Sequence, residues 1–494
     1  MNLMISLDPN RTRPLHRQLY EGVRGMILSG KLAPGQRLPS TRTLSTSLGI
    51  SRTTATIGYD ELFSEGYIES RRGSGTYVSQ ELPESMLRAE TPVLPGMNGK
   101  RPRTAFPQLS SYGKRLTDPV RMSKDQPRSC IDFRHGEPDV EAFPLSHWRR
   151  LLARHLRSND RSVMRYATDA QGHLPLRASL VDYLARSRAV HCEAENITIV
   201  SGSQQALDII ARVILDSGDR VAMEEPGYPG ARLALEAVGA QLTPVPTDES
   251  GLVVEKLPRL KSVRVKMVYV TPSHQFPTGA ALTLPRRLEL IEWADRTRAL
   301  VLEDDYDSEY RYSGSPFPAL QGLDTTNSVI YVGTFSKVMF PALRLAYVVT
   351  PPSLTTVLKR AKWLADRHCP LLEQRALVDF IGDGSLDRHI RKMRLLYGER
   401  RKALVTVIKN ELGSWARVVG ENAGMHLTVR LRTSLSDNEI VRRAAEAGVQ
   451  VRSSRTCYLG AGRRGEFVFG YSNLTEREIE QGVRRLALAL DKRG

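Results

Sequence analysis

SVIYVGTFSKVMFPALRLAYVVT, Ser328 to Thr350, decides the fold. An apolar, β-rich run ends in a small-residue turn, Gly333-Thr334-Phe335-Ser336, which delivers Lys337. A second strand-like run, Leu343 to Val349, follows at once and carries Arg344. A lysine with hydroxyls just before it and an arginine shortly after suits an aldehyde cofactor with a phosphate tail. The amine can form a Schiff base, and Thr334, Ser336 and Arg344 can hold the phosphate. A surface lysine on a strand-to-strand turn is the plain alternative, and the neighbouring chain decides between them.

From about Ile131 onward, β-like runs alternate with helical ones. Asn196 to Val200, Val221-Ala222-Met223, Val265 to Val270 and Ala299 to Leu302 read as strands, and Gln204 to Leu215 as an amphipathic helix. Such alternation predicts an α/β domain around a largely parallel or mixed sheet, with ligands at the carboxyl ends of its strands. Chemistry follows those ends. Ser201-Gly202-Ser203 opens a helix and forms a candidate anion cup. Tyr228, in Glu224-Glu225-Pro226-Gly227-Tyr228, is either a ring-stacking aromatic or a core tyrosine. Glu303-Asp304-Asp305-Tyr306-Asp307-Ser308-Glu309 holds five acids in seven residues, a density not expected in a core. A metal site is one reading, although no His or Cys accompanies the acids. The other aims one carboxylate at a pyridinium nitrogen, with Tyr306 on the ring's 3-hydroxyl.

Taken in order, the phosphate cup, tyrosine, HQFPTG, EDDY, GTFSK and arginine resemble a fold-type I aminotransferase over residues 131–494. The resemblance implies pyridoxal 5'-phosphate as cofactor. It implies Lys337 as the residue bonded to it, Asp304 on the pyridine nitrogen and Tyr306 on the 3-oxygen. Ser201, Gly202, Ser203, Ser336 and Arg344 would hold the phosphate, joined by Thr334, and Tyr228 would stack on the ring. Tyr166, in YATDAQGHLPLR, matches a tyrosine that reaches the phosphate of a partner subunit, which implies a homodimer.

The first eighty residues read differently. Pro14 to Ser29 spaces Leu15, Leu19, Val23, Met26 and Ile27 along one helical face. Ser40 is a natural N-cap for Thr41 to Leu48, Gly49 ends that helix, and Ser51 caps Arg52 to Ser64, whose Ala55, Tyr59, Leu62 and Phe63 are predicted to face inward. Two short helices split by a tight turn form a helix-turn-helix, and Arg52, Thr53, Thr54 and Thr56 open its recognition helix. Tyr67-Ile68 and Thr76-Tyr77-Val78 predict a hairpin around a basic tip, Glu69 to Gly75. This set resembles the winged helix of GntR-type repressors. By that resemblance Arg37, Ser40, Arg42, Arg52, Thr53, Thr54, Arg72 and Gly75 contact a double-stranded DNA operator.

The expected domains are a winged helix over 11–80, a Pro-rich linker over 81–128 and an aminotransferase-like body over 129–494. Glu81 to Pro127 holds seven prolines and shows no sustained periodicity, the composition of a tether. Its basic groups, Lys100-Arg101-Pro102-Arg103 and Lys114-Arg115, either brush DNA phosphates or are simply solvated. The net charge is +17, of which residues 1–80 and 81–130 carry +4 each. A balance this basic favours nucleic acid as partner over a membrane, since no apolar run reaches eighteen residues. Four cysteines without metal-ligand or CxxC spacing, and an N-terminus without a signal-like apolar core, predict a reducing cytoplasm and no metal.

Over the whole chain these parts resemble the MocR subfamily of GntR regulators. That implies a transcriptional regulator, a head-to-tail dimer, that senses pyridoxal phosphate or a small amino compound through an aldimine. Two departures separate the chain from catalytic aminotransferases. Phe276 stands where they place an asparagine near the cofactor's 3-oxygen, and the strand Glu466 to Tyr471 lacks their carboxylate-binding arginine. Arg455 is the nearest substitute for an effector carboxylate, if it is not a solvated loop residue. The alternatives are a working aminotransferase with an appended DNA-binding domain, and a cofactor-free relic. The lysine, Asp304, Tyr306 and Arg344 kept together argue against the relic.

Overall fold

The computed structural model describes residues 3, 5–8, 13–71, 74–82, 108–117, 130–258, 264–314 and 317–491. The chain divides into two compact units, residues 1–107 and 108–494.

In the first unit, α1 (Leu15–Leu28) buries Leu19, Tyr20, Val23 and Ile27, a single face at helical spacing. The Ser40 hydroxyl accepts the Thr43 amide to start α2 (Thr41–Leu48), and left-handed Gly49 ends it. Ser51 does the same for Thr54 at the head of α3 (Arg52–Ser64). Ala55, Tyr59 and Leu62 enter the core as expected, but Phe63 is 57% exposed. One residue beyond Leu62, its side chain is rotated about 100° around the helix and leaves the buried face. The hairpin pairs β1 (Ile68–Arg71) with β2 (Gly75–Val78), Ile68 opposite Val78. Glu69 to Arg71 therefore belong to a strand, and the tip is shorter than the sequence suggested, because Arg71 still pairs with Gly75. The Leu38 amide donates to the Thr76 carbonyl and the Val78 amide to that of Gln36, so the segment before α2 edges the hairpin. Arg72 and Lys100 to Arg103 lie outside the described residues.

The second unit begins with α4 (Ser111–Arg115), a short helix inside the stretch read as linker. Arg115 donates to the Ala237 carbonyl at 2.9 Å and Arg212 to the Tyr112 hydroxyl at 2.8 Å, so this piece is docked on the body. After β3 (Ile131–Asp132), an eight-stranded sheet is built from β4 (Ile197–Val200), β5 (Arg220–Glu225), β6 (Gln241–Asp248), β7 (Gly251–Leu252), β8 (Met267–Val270), β9 (Leu300–Asp305), β10 (Val329–Thr334) and β11 (Ala346–Val349). Their order is β4-β11-β10-β9-β8-β5-β6-β7. The pairs from β10 through β9, β8 and β5 to β6 are parallel, while β11 runs antiparallel to β10 and β4. Strands β8, β10 and β11 are buried throughout, which is why they read as unbroken apolar runs instead of alternating ones. Helices cover both faces: Leu207 and Leu358 share a core with Ile330 and Val348, and Leu290 and Trp293 share another with Val268 and Val301.

A smaller antiparallel sheet follows, ordered β12 (Ala416–Val419), β13 (His426–Leu431), β16 (Glu466–Gly470), β15 (Arg452–Ser453); between them β14 (Val449–Gln450) pairs with β3. The second run of the opening stretch starts later than predicted. Pro341 opens a turn over Pro341–Leu343, Arg344 takes a left-handed backbone (φ 52), and only Ala346 begins the strand.

The acid run is also corrected. Glu303, Asp304, Asp305 and Asp307 are all buried, because the fold brings each a donor from elsewhere in the chain. Glu303 accepts the Leu320 and Gln321 amides, Asp305 accepts Arg188 at 2.7 Å and the Tyr331 hydroxyl at 2.6 Å, and Asp307 faces His274. The acids thus have histidine company after all, supplied by tertiary structure: the ligand atoms of His274, Asp307 and His426 lie within 4.8 Å of one another.

Candidate functional site

The carboxyl ends of the parallel strands open on a cavity of about 220 Å³ lined by Lys337, Asp304, Tyr306, Tyr228, Ser203, Thr334, Ser336 and Arg344, eight of the residues singled out from the sequence. Lys337 stands two residues beyond Phe335, which is anchored in the core at 1% exposure. Its Nζ donates to the Gly136 carbonyl at 2.5 Å. Burial pushes the amine below its usual pKa, opposed by the charges of Asp307, Asp304 and Glu137. A larger neutral fraction makes the lysine a better nucleophile.

Asp304 is the penultimate residue of β9, opposite Val332 of β10. The Tyr269 hydroxyl donates to its Oδ2 at 2.8 Å, while its Oδ1 is buried with no hydrogen-bond partner. Burial raises its pKa to about 6, with the Tyr269 hydrogen bond pulling the other way. An orphaned carboxylate oxygen in a cavity wall is a place for a cationic N–H, which would restore the lost solvation.

At the other end, Gly202 sits at φ 93 and caps the helix Ser203–Ile214. Arg344 Nη2 donates to the Ser201 carbonyl at 2.6 Å, and a Cβ on Gly202 would stand 2.6 Å from that same nitrogen. Close approach of the guanidinium is what requires glycine there. Helix N-terminus, guanidinium and the Thr334 and Ser336 hydroxyls together make an anion site. Ser201 and Gly202 shape it without lining the cavity; the Ser201 hydroxyl lies 3.3 Å from Asp366 and 3.4 Å from Cys369. Tyr228 meets Phe276 edge-on, with ring centroids 5.6 Å apart.

Tyr166 and Arg455 are not among the lining residues. Tyr166 is 80% exposed beside Arg367, and Arg455 is exposed on the turn Ser454–Cys457. His135, Gly136, Gln204 and His426 do line the cavity and were missed. His135-Gly136 lies a few residues beyond β3, a weaker form of the signal that flagged Ser201-Gly202. His426 opens β13, HLTVRL, in a stretch that carried no site motif. Burial holds both histidines below their usual pKa, His135 at about 4.

A ring with a phosphate, an aldehyde and a basic nitrogen matches this donor set: anion site, buried amine and orphaned carboxylate share one cavity.

In the first unit Arg37, Arg42, Arg52 and Thr53 are exposed. Arg37 bridges to Tyr77 on the hairpin, and its guanidinium lies against Gly75. The Ser40 and Thr54 hydroxyls are engaged in the caps, 2.8 Å from Thr43 Oγ1 and Ser51 Oγ respectively.

Two family descriptions match the chain. "Bacterial regulatory proteins, gntR family" covers residues 15–78, and "Aminotransferase class I and II" covers residues 128–486. A probable rhizopine catabolism regulatory protein MocR of Rhizobium meliloti is 40% identical over 99% of this chain and 97% of its own length. A pyridoxine biosynthesis transcriptional regulator PdxR of Corynebacterium glutamicum is 30% identical over 96% of each chain. Among solved structures, the α-aminoadipate aminotransferase LysN of Thermus thermophilus, complexed with N-(5'-phosphopyridoxyl)-L-leucine, aligns with a TM-score of 0.69 at 31% identity. It covers 74% of this chain and 92% of its own.

Proposed function

Because the chain belongs to the MocR subfamily of GntR-type transcriptional regulators, we propose that its body binds pyridoxal phosphate and reads that cofactor, or a small amino compound reacting with it, as the signal that sets DNA binding. The observation carrying this reading is the unpartnered Oδ1 of buried Asp304 in the same cavity as Lys337. When bound, the cofactor supplies an electrophilic aldehyde on an electron-withdrawing ring. Asp304 holds the proton of the ring nitrogen. Arg344, Ser203, Thr334 and Ser336 hold the phosphate, Tyr228 covers the ring, and Lys337 presents its amine. An amino effector would meet the same aldehyde as Lys337, and Lys337 when free donates to the Gly136 carbonyl. The effector acts only by its difference in affinity for the two arrangements of the body.

Sensing is favoured over turnover because Phe276, 5% exposed and packed on Tyr228 and His426, brings no amide to the ring. Exposed Tyr166 would reach a partner subunit's site in a homodimer, and the regulator works at an operator in the cytoplasm. Arg37, Arg42, Arg52 and Thr53 reach the DNA.

The test adds pyridoxal phosphate to the full-length protein and records visible absorbance. A new band that Lys337→Ala abolishes supports the reading, as does a shift of that band, with a change in operator affinity, on adding amino compounds. No band in the wild type, or an unchanged band in Lys337→Ala, sinks it.

A further inference from the structure

Position 276 leaves a gap in the site: the side-chain amide that would touch the ring's 3-oxygen is replaced by a phenyl ring. The structure places a different polar system behind Tyr306. Its hydroxyl lies 3.0 Å from His274 Nδ1 and 2.9 Å from the His274 carbonyl. The same Nδ1 lies 3.1 and 3.0 Å from the two oxygens of Asp307. His274 and Asp307 are each 1% exposed.

The tautomer follows from the partners. An ionised carboxylate only accepts, so His274 Nδ1 carries the hydrogen and shares it between Asp307 and the phenol oxygen. Its Nε2, buried without a partner, is the bare nitrogen. The ring cannot swing away. A Cβ on Gly424 would stand 1.9 Å from His274 Cε1, so the backbone lies flat against that edge, and the tilted ring of His426 lies against the same ring with centroids 4.8 Å apart. With Nδ1–H already donating to the phenol oxygen, the tyrosine's own proton is the one free to turn from the His274 carbonyl toward a ligand. A phenol that accepts a hydrogen bond is a stronger donor in turn.

We propose that His274 is a positioning residue for Tyr306, fixed in its tautomer by Asp307, and that through the phenol it strengthens the contact to the ring's 3-oxygen that Phe276 leaves unsupported. This rests on the reading that the cavity takes pyridoxal phosphate. The charged and titratable groups around the phenol and His274 are Asp304, Asp305, Asp307, Glu224 and His426, with Lys337 across the cavity.

The experiment is a pH titration of the visible band of the cofactor-loaded full-length protein. A stronger hydrogen bond to the ring oxygen favours its negative form and keeps the midpoint low. His274→Phe, which keeps the volume, is expected to raise the midpoint by roughly half to one pH unit, the size of one hydrogen bond. Asp307→Asn should move it the same way by less. Tyr306→Phe should raise it at least as far, and adding His274→Phe to Tyr306→Phe should add nothing, since the histidine acts only through the phenol. A band present with an unmoved midpoint in His274→Phe, or a full additional shift in the double variant, overturns the assignment alone. A wild type with no band overturns it together with the cofactor reading.

Discussion

Asp304→Asn separates what this carboxylate costs the fold from what it does for a ligand. The burial of Asp304 lifts its pKa from 3.8 to about 6. The folded protein therefore holds the proton more tightly than the unfolded chain. The group's contribution is most favourable below the unfolded value and is lost as pH rises through the folded one. About two pH units at 1.36 kcal/mol each give a cost of about 3 kcal/mol at neutral pH in the ligand-free protein. Asparagine never ionises, but its NH₂ would sit where Oδ1 now has no partner, which costs about 1–3 kcal/mol at every pH. Subtracting wild type from variant, stability should swing by about 2.4 kcal/mol between pH 4 and pH 7.5, since part of the difference is already spent at pH 4. The variant should be weaker in acid and level with or above wild type at neutrality. Urea unfolding followed by tryptophan fluorescence reads this cleanly, since Trp148, Trp293, Trp363 and Trp415 all lie beyond residue 107. Saturating pyridoxal phosphate should reverse the neutral-pH ranking, because ligand at a hundred times Kd adds about 2.7 kcal/mol to the state that binds it. A difference flat with pH would refute the argument that an unsolvated, ionised Asp304 sits in this wall.

Gly202→Ala drives a Cβ to 2.6 Å from Arg344 Nη2 at a backbone φ of 93, so half-saturation with pyridoxal phosphate should rise at least tenfold, about 1.4 kcal/mol; an unchanged titration would remove Arg344 from the phosphate site. In the first unit, Ser51→Ala should lower protection of α3 amides in hydrogen exchange by about 1 kcal/mol. In the same measurement Phe63→Ala should stay within about 0.5 kcal/mol and Leu62→Ala should cost about 2–5 kcal/mol. Arg52→Ala should weaken operator binding and reduce the slope of log affinity against log salt by about 1 if it meets a phosphate. An unchanged slope and affinity would take Arg52 off the DNA.

What the sequence made legible is what short-range rules control. Ser40, Gly49 and Ser51 mark their helix ends because the cap is a contact between residues three apart, and the helix-turn-helix follows from those ends alone. Lys337, Asp304 and Ser203 were found because a parallel sheet brings the carboxyl ends of distant strands to one edge, so each strand–turn boundary was a candidate on its own. Boundaries drifted where a tertiary contact overrode local preference. Arg344 looked like a strand residue, but its bond to the Ser201 carbonyl accompanies a left-handed backbone that delays β11 to Ala346. Ser111 to Arg115 looked like tether and is helical where Tyr112 and Arg115 find partners on the body.

The acid run marks the limit of local reading. Five carboxylates in seven residues look solvated because nothing nearby neutralises them. Their partners come from positions 183, 188, 274, 320 and 331, none of which is periodic with them. Alternation along β9 and the turn after it then gives the acids different roles. Glu303 and Asp305 meet structural donors away from the cavity, although Asp305 Oδ1 also lacks a partner, while Asp304 lines the cavity and keeps its own Oδ1 unsatisfied there. Asp307 is the intermediate case, lining the cavity yet tied to His274. Of the two acids that line the cavity, Asp307 is tied to His274 and Asp304 carries the unpartnered oxygen, so the wall is organised around a single cationic contact. That is the reason to place the ring nitrogen at Asp304, and to expect Asp305→Asn to act on folding alone where Asp304→Asn acts on binding as well.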